Sequence, residues 1–591
     1  MNENAQEQAN EAPKLDEVGT NTPQGQPPGY GFGLNALSPL IWGGMWVILM
    51  ATAIETRPFL PVDETRYLAV AWEMWNDGNY LVPHLNGATY SHKPPLLFWL
   101  INAGWAVFGV NDWWSRLVAP LFGLGSLFLT VRLARWLWPE FRTISAVAPV
   151  LLIGSLFWTL FVTLTMFDMI LGFCALLAMN GLLGAWRKNT ASGFVLFAIA
   201  VGLGILTKGP AILLTTLPPA LLAPIWAPAL GASWLGGWKR WYVMTALALL
   251  GGVVIGLAWA IPAGIMGGEE YRTAIFWGQS AGRMVNSFAH GQPWWWYMVM
   301  LPVLLLPWTL WPASWRSLGY LVKSTGSGMF KGLGDGGLRF CLTWLLPAFI
   351  TFSAISGKQF HYLLPVFPAL ALIVARLLVE RDTAVALAPV SEKSWTRSGI
   401  ALPSTLVLIL GIALFLVTPT ATLFTLPAWA GMLNTTPGIG LAVLALGLIA
   451  LDRMGDRGSL MARLYSLCTL SVALVVVIHY GARPLLAERH DLRPISQKLG
   501  TWQEQGVPIA YFGKYHGQFQ FLGRLKQPIA ALGQTATSVP DWLAAHPEGR
   551  IIIINKKPLT EHQGSFNYPY RGRYFTIFPA ADVVADPSLL N

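Results

Sequence analysis

The sequence predicts a polytopic α-helical membrane protein with about 13 transmembrane helices, interfacial helices and a small C-terminal α/β extracytoplasmic domain. Hydrophobic residues make up 54% of the 591-residue chain and charged residues make up 12%, whereas soluble domains contain about 25% charged residues. Apolar runs of the roughly 20 residues that a helix needs to cross a bilayer recur along the chain. The 29 tryptophans suit the membrane–water boundary, where amphipathic rings are stable.

Composition divides the chain into three predicted parts. Residues 1–35 are polar and rich in Pro, Gln and Asn, so we expect a disordered cytoplasmic tail without a cleavable signal peptide. Residues 36–485 form the predicted transmembrane catalytic domain, which includes an extracytoplasmic loop at 56–113. Residues 486–591 form the predicted outer α/β domain, because strand candidates VPIAYF, RIIIINK and YFTIF alternate with helix candidates PISQKLGTWQEQ and PDWLAAH.

The apolar runs place the predicted transmembrane helices. One further apolar stretch, residues 95–109, is interpreted as a helix that lies along the membrane interface. The predicted spans lie near 39–55, 114–138, 143–163, 165–186, 192–207, 210–228, 241–262, 294–313, 338–356, 361–379, 399–420, 436–451 and 460–480.

The distribution of Lys and Arg orients these helices. With the N-terminus in the cytoplasm, the cytoplasmic connections carry clusters of basic residues, as in residues 132–142 and 316–339. The opposite connections carry single ionisable residues, and isolated charges beside membrane helices tend to mark functional sites. Topology therefore predicts a polar cavity at the outer face, formed by Asp63, Lys93, Asp168, Lys208, His290, Lys358 and Tyr362.

Composition and motifs disfavour several functional classes. The net charge of +10 follows the excess of basic residues on cytoplasmic loops, and no basic soluble segment predicts nucleic-acid binding. The cysteines Cys174, Cys341 and Cys468 lie in apolar spans and predict no disulfide framework. The sequence contains no Walker A, strand-linked G-x-G-x-x-G, H-E-x-x-H or nucleophile-elbow motif.

A long polar connection, residues 62–116, interleaves charges with aromatic residues, as functional loops commonly do. It contains D-E-x-R-Y at residues 63–67, then W-x-x-G-x-x-x-V-P-x-L-N-G, K-P-P-L-x-x-W and F-G-x-x-x-x-x-x-R-L. These motifs resemble the first extracytoplasmic loop of bacterial lipid-to-acceptor glycosyltransferases. That group includes the aminoarabinose transferases of lipid A and, more distantly, the protein O-mannosyltransferases. Later landmarks extend the resemblance over roughly residues 35–480.

The resemblance implies a C-type glycosyltransferase fold and a multi-pass protein of the bacterial inner membrane, with its active site and C-terminal domain in the periplasm. It implies sugar transfer from a polyprenyl (undecaprenyl) phosphate, with aminoarabinose transfer to a lipid A phosphate as the first expectation. The alternative is mannose or galacturonate transfer to lipopolysaccharide, another glycan or protein. A transporter of lipid-linked sugars is less favoured, because the sequence shows no internal repeat. We expect a monomer.

Asp63, Arg66 and Tyr67 match the D-E-x-R-Y motif residue for residue. The resemblance implies a catalytic or sugar-binding carboxylate at Asp63, although Asp also commonly caps a helix. The planar donors of Arg66 suit a phosphate, and the alternative is an Arg that reaches lipid headgroups. Tyr67 is expected to support Arg66 at the donor phosphate.

Lys93 precedes two prolines, which fix an extended chain, so it is predicted to neutralise the donor phosphate or, alternatively, to anchor lipid headgroups. Tyr90 is predicted to donate to the same phosphate. His92 departs from the resemblance, since the family commonly has a Glu here that shares a metal with a downstream His. His92 and His290 could still bind a divalent metal such as zinc, hold substrate or cap a loop.

Four later residues are predicted to bind the donor phosphate or substrate. Asp168 resembles the family's second acidic position and is expected to orient a basic residue of the first loop, to bind the acceptor or to cap a helix. Lys208 precedes a Gly-Pro pair that breaks the helix, and phosphate binding and a structural role are both open. Lys358 and Tyr362 match S-G-K-x-x-x-Y-x-L-P, which the resemblance places near the donor phosphate or its lipid entrance.

Overall fold

The computed structural model describes residues 32–231, 234–278, 291–324, 334–387, 399–420, 426–454, 459–533, 538–559 and 566–590. The predicted N-terminal tail, up to residue 31, and the predicted site residue His290 lie outside these ranges.

Helices make up most of the chain before residue 490. Their order places two short helices between the first and second long apolar ones, where the sequence predicted an extracytoplasmic loop. The helices are α1 Phe32–Thr56, α2 Asp63–Asp77, α3 Leu96–Phe108, α4 Asp112–Leu137, α5 Arg142–Gly154, α6 Leu156–Phe161, α7 Phe167–Lys188, α8 Ala191–Lys208, α9 Leu213–Leu221, α10 Ala223–Trp226, α11 Gly237–Met266, α12 Gly268–Thr273, α13 Trp296–Leu304, α14 Pro312–Ser324, α15 Gly336–Ala354, α16 Phe367–Leu387, α17 Ala401–Thr420, α18 Thr436–Met454 and α19 Leu460–Arg489.

Nine helical segments in the described ranges are long and apolar enough to cross a membrane. The predicted multi-pass helical architecture is confirmed, whereas the count of thirteen spans stays a prediction. Three shorter apolar helices occupy Leu96–Phe108, Arg142–Gly154 and Ala401–Val417. The nine segments are Leu37–Thr56, Asp112–Leu137, Phe167–Lys188, Ala191–Leu221, Gly237–Met266, Gly336–Ala354, Phe360–Ala384, Thr436–Met454 and Leu460–Glu504.

Several predicted spans are interrupted, and neighbouring side chains satisfy the backbone groups that the breaks expose. The predicted span 143–163 is divided between α5 and α6 at Ser155, whose backbone is extended (φ −71°, ψ 116°). The indole Nε1 of Trp308 donates to Leu151 O at 2.9 Å and Ser155 Oγ at 3.0 Å. A free carbonyl at membrane depth would cost several kcal/mol, so this contact stabilises the break.

The Gly-Pro pair after Lys208 ends α8, as the sequence predicted. Gly209 adopts φ +65°, a left-handed conformation that glycine reaches without steric cost, and a 3-10 turn (Gly209–Ile212) leads into α9. The side chain of Lys208 therefore lies at a helix junction.

The predicted extracytoplasmic loop contains α2, a small hairpin and α3. Strands β1 (His84–Leu85) and β2 (Ala88–Thr89) are antiparallel and are joined by Asn86 and Gly87. Both turn residues have positive φ, 56° and 79°, as an Asn-Gly hairpin turn requires. The helix predicted at 95–109 is α3, and it packs on α2 through a 3.1 Å hydrogen bond from Asn102 Nδ2 to Ala71 O.

A five-stranded mixed sheet forms the C-terminal domain, with strand order β4-β3-β5-β7-β6. The three strand candidates and the two helix candidates of the sequence are confirmed as β3, β5, β7, α20 and α21. β4 has only three residues and β6 is an edge strand that contains Pro569, so neither gave a strand signal. The elements are α20 Arg493–Glu504, β3 Ile509–Phe512, β4 Ala530–Leu532, α21 Val539–Ala545, β5 Arg550–Asn555, β6 Phe566–Tyr570, β7 Arg573–Pro579 and α22 Ala580–Ala585.

The C-terminal domain packs directly on the loop that contains α2 and α3. The indole of Trp72 in α2 donates to Leu525 O at 2.7 Å. The ring of Trp105 in α3 stacks on Phe521, with centroids 5.1 Å apart and an interplanar angle of 6°. The sheet domain is thus in contact with the same loop that carries most of the predicted site residues.

Candidate active site

Asp63 and Arg66 form an ion pair on the first turn of α2. Residues three apart share a helix face, so the two side chains point the same way. Val62 occupies the N-cap position and no side chain caps this helix end, so the capping role that the sequence left open for Asp63 is not observed. The Asp63 side chain is 54% exposed, which leaves its carboxylate accessible to a substrate.

Buried Glu64 fixes the start of α2 against the segment before α7. Both carboxylate oxygens accept from Arg57, and the N–H groups of Leu60 and Thr165 donate to Glu64 at 2.8 Å each. Arg57 also donates to Thr163 O at 2.9 Å. Burial raises the pKa of the Glu64 carboxyl, but the Arg57 charge and these donors lower it more, so the net pKa lies below its ordinary value.

The ring of Phe167, the first residue of α7, joins Lys93 to α2 and α3. The Lys93 Nζ lies 5.7 Å from the ring centroid, within range of a cation–π interaction. The rings of Tyr67 and Phe98 pack edge-on against Phe167 at centroid distances of 4.9 and 5.4 Å. Lys93 and Tyr67 therefore both contact the ring of Phe167.

Asp168 is the second residue of α7, and its carboxylate is buried between two basic groups. It forms an ion pair with Lys208, and His361 Nε2 lies 3.7 Å from its Oδ2. The Lys208 Nζ also lies 4.3 Å from the ring centroid of Tyr362. Three chain segments that are distant in sequence thus converge, and Asp168 orients Lys208, a residue of α8 rather than of the first loop.

The pKa of Tyr67 responds to both the Asp63–Arg66 pair of α2 and Asp168 of α7. Burial raises the pKa of this phenol well above its ordinary value, and the charges of Asp63, Tyr90 and Asp168 raise it further against the opposing effect of Arg66. Carboxylates from both the α2 and the α7 groups therefore act on one hydroxyl. The phenol stays protonated at neutral pH and can donate a hydrogen bond.

The Lys358 side chain is buried and donates hydrogen bonds to backbone carbonyl groups. Its Nζ donates to Gln292 O at 2.9 Å and to Ile355 O at 2.6 Å. These bonds tie the segment before α13 to the segment after α15. Tyr362 lies against Lys208, so the structure separates the two residues of the S-G-K-x-x-x-Y motif into different contacts, and a phosphate role for Lys358 stays a prediction.

Tyr90 and His92 lie at the end of the hairpin. The Tyr90 ring is buried and packs edge-on against Phe98 and His92, at centroid distances of 6.2 and 5.4 Å. His92 is exposed. Within the ranges given above, no three His, Cys, Asp or Glu side chains group closely enough to hold a metal ion. Because His290 lies outside these ranges, the metal pair His92–His290 stays a prediction.

Three further residues near Tyr67, Lys93 and Asp168 were not identified by the sequence analysis. His361 offered a signal, because an imidazole inside the motif around Tyr362 is available for chemistry. Phe167 offered none. Burial lowers the pKa of His516 in the C-terminal domain, the charges of Arg66 and Lys514 lower it further, and the charge of Asp63 opposes them.

The arrangement suits a phosphate whose negative charge grows during a reaction. Arg66, Lys93 and Lys208 supply three cations against the carboxylates of Asp63 and Asp168, so the cluster has an excess of positive charge. Fixed cations in a partly water-excluded site stabilise such charge without reorganising. Asp63, exposed at the edge of the cluster, can accept a proton or orient an incoming group.

Comparison with known proteins finds similar sequences. Residues 92–261 match the family described as dolichyl-phosphate-mannose-protein mannosyltransferase. An undecaprenyl phosphate-alpha-4-amino-4-deoxy-L-arabinose arabinosyl transferase of Pseudomonas aeruginosa is 30% identical over 357 residues, 59% of this chain and 58% of that protein. A transferase of the same name from Edwardsiella ictaluri is 28% identical over 56% of this chain and 57% of its own. The alignments thus span somewhat over half the length of these relatives.

Solved structures match over nearly the whole chain. ArnT from Cupriavidus metallidurans in the apo state superposes with a TM-score of 0.68 and 18% identity, covering 93% of this chain and 99% of that one. The same protein bound to undecaprenyl phosphate superposes with a TM-score of 0.64 and 18% identity, covering 92% and 98%. The resemblance drawn from the loop motifs is confirmed: this multi-pass membrane chain has the ArnT fold, and its sequence is similar to those of the aminoarabinose transferases.

Proposed function

We propose that this chain is a membrane glycosyltransferase that moves a sugar from a polyprenyl phosphate to an acceptor at the periplasmic face of the bacterial inner membrane. The observation that carries the proposal is a set of three cations held by neighbouring elements: Arg66 pairs with the accessible Asp63, Lys208 pairs with Asp168, and Lys93 lies over the ring of Phe167. Our preferred reaction is aminoarabinose transfer to a lipid A phosphate. The names of the similar transferases and the ArnT structure bound to undecaprenyl phosphate support this choice of donor.

In the proposed reaction, the bond between the anomeric carbon and the donor phosphate oxygen breaks, and an acceptor oxygen forms the new bond to that carbon. The leaving polyprenyl phosphate keeps the electron pair of the broken bond, so negative charge grows on its oxygens. Lys93 and Arg66 stabilise this charge, and Tyr67 and Tyr90 donate hydrogen bonds. Inversion at the anomeric carbon is expected.

The role of Asp63 depends on the acceptor. If the acceptor is a hydroxyl, its proton passes to the Asp63 carboxylate, which acts as the general base. If the acceptor is a phosphate oxygen, no proton needs to move, and Asp63 orients the sugar or stabilises its developing positive charge. The ion pair with Arg66 holds the carboxylate at the edge of the phosphate site in either case.

A second candidate keeps the donor class and changes the sugar or the acceptor. Two observations favour it: residues 92–261 match the protein mannosyltransferase family, and His92 stands where the aminoarabinose transferases commonly have Glu. Mannose or galacturonate transfer to lipopolysaccharide, another glycan or protein would use the same cationic cluster.

A substrate panel tests both candidates. Purified protein in lipid is incubated with undecaprenyl phosphates that carry aminoarabinose, mannose or galacturonate, and with lipid A or a glycan or peptide acceptor. We expect lipid A carrying aminoarabinose, and no product with Asp63→Ala. Product from another donor and acceptor pair alone would change the assigned substrates and leave the proposed mechanism unchanged. The absence of product with every donor would overturn the proposed function.

A further inference from the structure

The side chain of Asn86 links the extracytoplasmic loop to the C-terminal domain. Its Nδ2 donates to Ile529 O and its Oδ1 accepts from Ile529 N, both at 2.8 Å. The Oδ1 also accepts from Gln520 Nε2 at 2.7 Å. Ile529 directly precedes β4, so this amide pairs with the domain backbone as a neighbouring strand would.

The backbone of the same residue forms the hairpin turn. The N–H groups of Asn86 and Gly87 donate to the buried carboxylate of Glu73 in α2, with 3.0 Å from Gly87 N to Glu73 Oε2. The domain approaches Gly87 so closely that a Cβ there would lie 2.9 Å from Pro528 Cγ. The turn is thus held by α2 on one side and by the C-terminal domain on the other.

The hairpin leads directly to two predicted site residues. Tyr90 follows β2, and its N–H donates to Pro83 O at 2.7 Å, which extends the strand pairing by one step. Lys93 comes three residues later, with its Nζ over the Phe167 ring. The strands have only two residues each, so the position of the turn sets the position of the segment that carries both side chains.

We propose that Asn86 is a positioning residue through which the C-terminal domain fixes Tyr90 and Lys93 against the donor phosphate. The proposal rests on the function proposed above and deepens it, because it assigns the domain to the donor side of the reaction. Asn86 acts on Tyr90 and Lys93 through the hairpin and is not itself proposed to contact the donor or the acceptor. If the domain instead only recognised the acceptor, loss of this link would raise the acceptor KM and leave kcat unchanged.

Asn86→Gly is the decisive variant, because glycine keeps the left-handed turn without strain and removes only the side-chain hydrogen bonds. We expect kcat to fall by about 100-fold, the effect of displacing a catalytic group by about 1 Å, with the KM for the acceptor unchanged. Gln520→Ala is expected to lower kcat less. Because both variants break the same link, the double variant should be no slower than Asn86→Gly alone.

Arg493→Ala is the matched control. It removes a different contact of the domain, with Asp112 in α4 at 3.5 Å, and leaves the hairpin untouched. We expect kcat to change by less than about twofold, as is usual for an exposed ion pair. An equal loss in Asn86→Gly and Arg493→Ala would overturn the proposal, since it would indicate general loosening of the domain.

Hydrogen–deuterium exchange gives a readout that needs no activity. In Asn86→Gly, we expect faster exchange in residues 84–93 and unchanged exchange in α7 and β5. Unchanged exchange in residues 84–93, an unchanged kcat, or a change in acceptor KM alone would each overturn the proposal. If the wild-type chain transfers no sugar from any polyprenyl phosphate, the proposed function fails, and the exchange comparison still decides whether the domain holds the hairpin.

Discussion

At the scale of single residues, the candidate site contains two ion pairs that differ in their exposure to solvent. Asp63 pairs with Arg66 at an accessible helix end, whereas Asp168 pairs with Lys208 inside the protein. The accessible pair is suited to contact with substrate, because its charges can exchange partners at little cost. The buried pair is suited to holding Lys208 in place, because separating it would leave an uncompensated charge.

Removal of one member of the buried pair should therefore destabilise the fold. Asp168→Asn leaves Lys208 without its carboxylate, and we expect the free energy of unfolding to fall by about 3 kcal/mol. Thermal unfolding in detergent measures the change. The double variant Asp168→Asn with Lys208→Met should be more stable than Asp168→Asn, since no buried cation is left unpaired. Additive losses in the double variant would contradict this account.

Lys93 should contribute mainly to the reaction step. Lys93→Ala removes a fixed cation beside the leaving phosphate, and we expect kcat to fall by about 100- to 1000-fold. Steady-state kinetics with a polyprenyl-phosphate sugar measures it. Lys188→Ala, an exposed lysine at the opposite end of α7 from Asp168, serves as the control with unchanged kcat. Wild-type kcat in Lys93→Ala would show that the phosphate binds elsewhere.

At the scale of elements, the Arg57–Glu64 pair aligns the start of α2 with the start of α7. It places Asp63 and Arg66 from one helix beside Phe167 and Asp168 from the other, although nothing in the sequence spacing relates the two segments. The D-E-x-R-Y motif therefore combines two carboxylates with different roles. Asp63 is accessible to a substrate, and Glu64 is buried and aligns α2 with α7.

Glu64→Gln tests this alignment. It leaves buried Arg57 without an anion, and we expect the free energy of unfolding to fall by roughly 3–5 kcal/mol at neutral pH. Because the pKa of folded Glu64 lies below its ordinary value of 4.5, the ionised carboxylate stabilises the fold above that pH, and this contribution is lost as the pH falls through the folded-state pKa.

The difference in melting temperature between wild type and Glu64→Gln should therefore stay constant at pH values above 4.5 and shrink as the pH falls below 4.5. Glu55→Gln is the matched control, because Glu55 is exposed and its contact with Arg483 is 3.5 Å long. It should melt within a degree or so of wild type, as surface pairs contribute little. A pH-independent difference for Glu64→Gln would show that its charge is not what stabilises the fold.

At the scale of the whole molecule, local sequence patterns predicted the secondary-structure elements better than the tertiary contacts between them. Apolar length identified the membrane helices, and short apolar runs identified β3, β5 and β7, because burial selects apolar residues in both kinds of element. The sequence could not foresee that Ser155 divides a span, because Trp308, far along the chain, satisfies the exposed carbonyl. Nor could it show that Asn86 binds Ile529, because tertiary contacts leave no periodic signal.

The candidate site shows the same division. Asp63, Lys93 and Asp168 were found through motifs and topology. In the structure, Asp63 and Asp168 both raise the pKa of Tyr67, and Lys93 lies over the ring of Phe167, which packs against Tyr67. Phe167 was missed because a ring in an apolar segment is typical of core until its neighbours are known. His361 was missed although its position inside the motif around Tyr362 offered a signal. No local motif in the sequence specifies the substrate, so the substrate must be identified by experiment.

The most direct measurement is mass spectrometry of lipid A from bacteria that lack their own aminoarabinose transferase and express this chain. We expect lipid A heavier by one aminoarabinose with the wild-type chain, and unmodified lipid A with Lys93→Ala expressed at an equal level. Added aminoarabinose that persists in Lys93→Ala would contradict the site. Unmodified lipid A with the wild-type chain, in cells shown to make the undecaprenyl-linked donor, would contradict the preferred reaction.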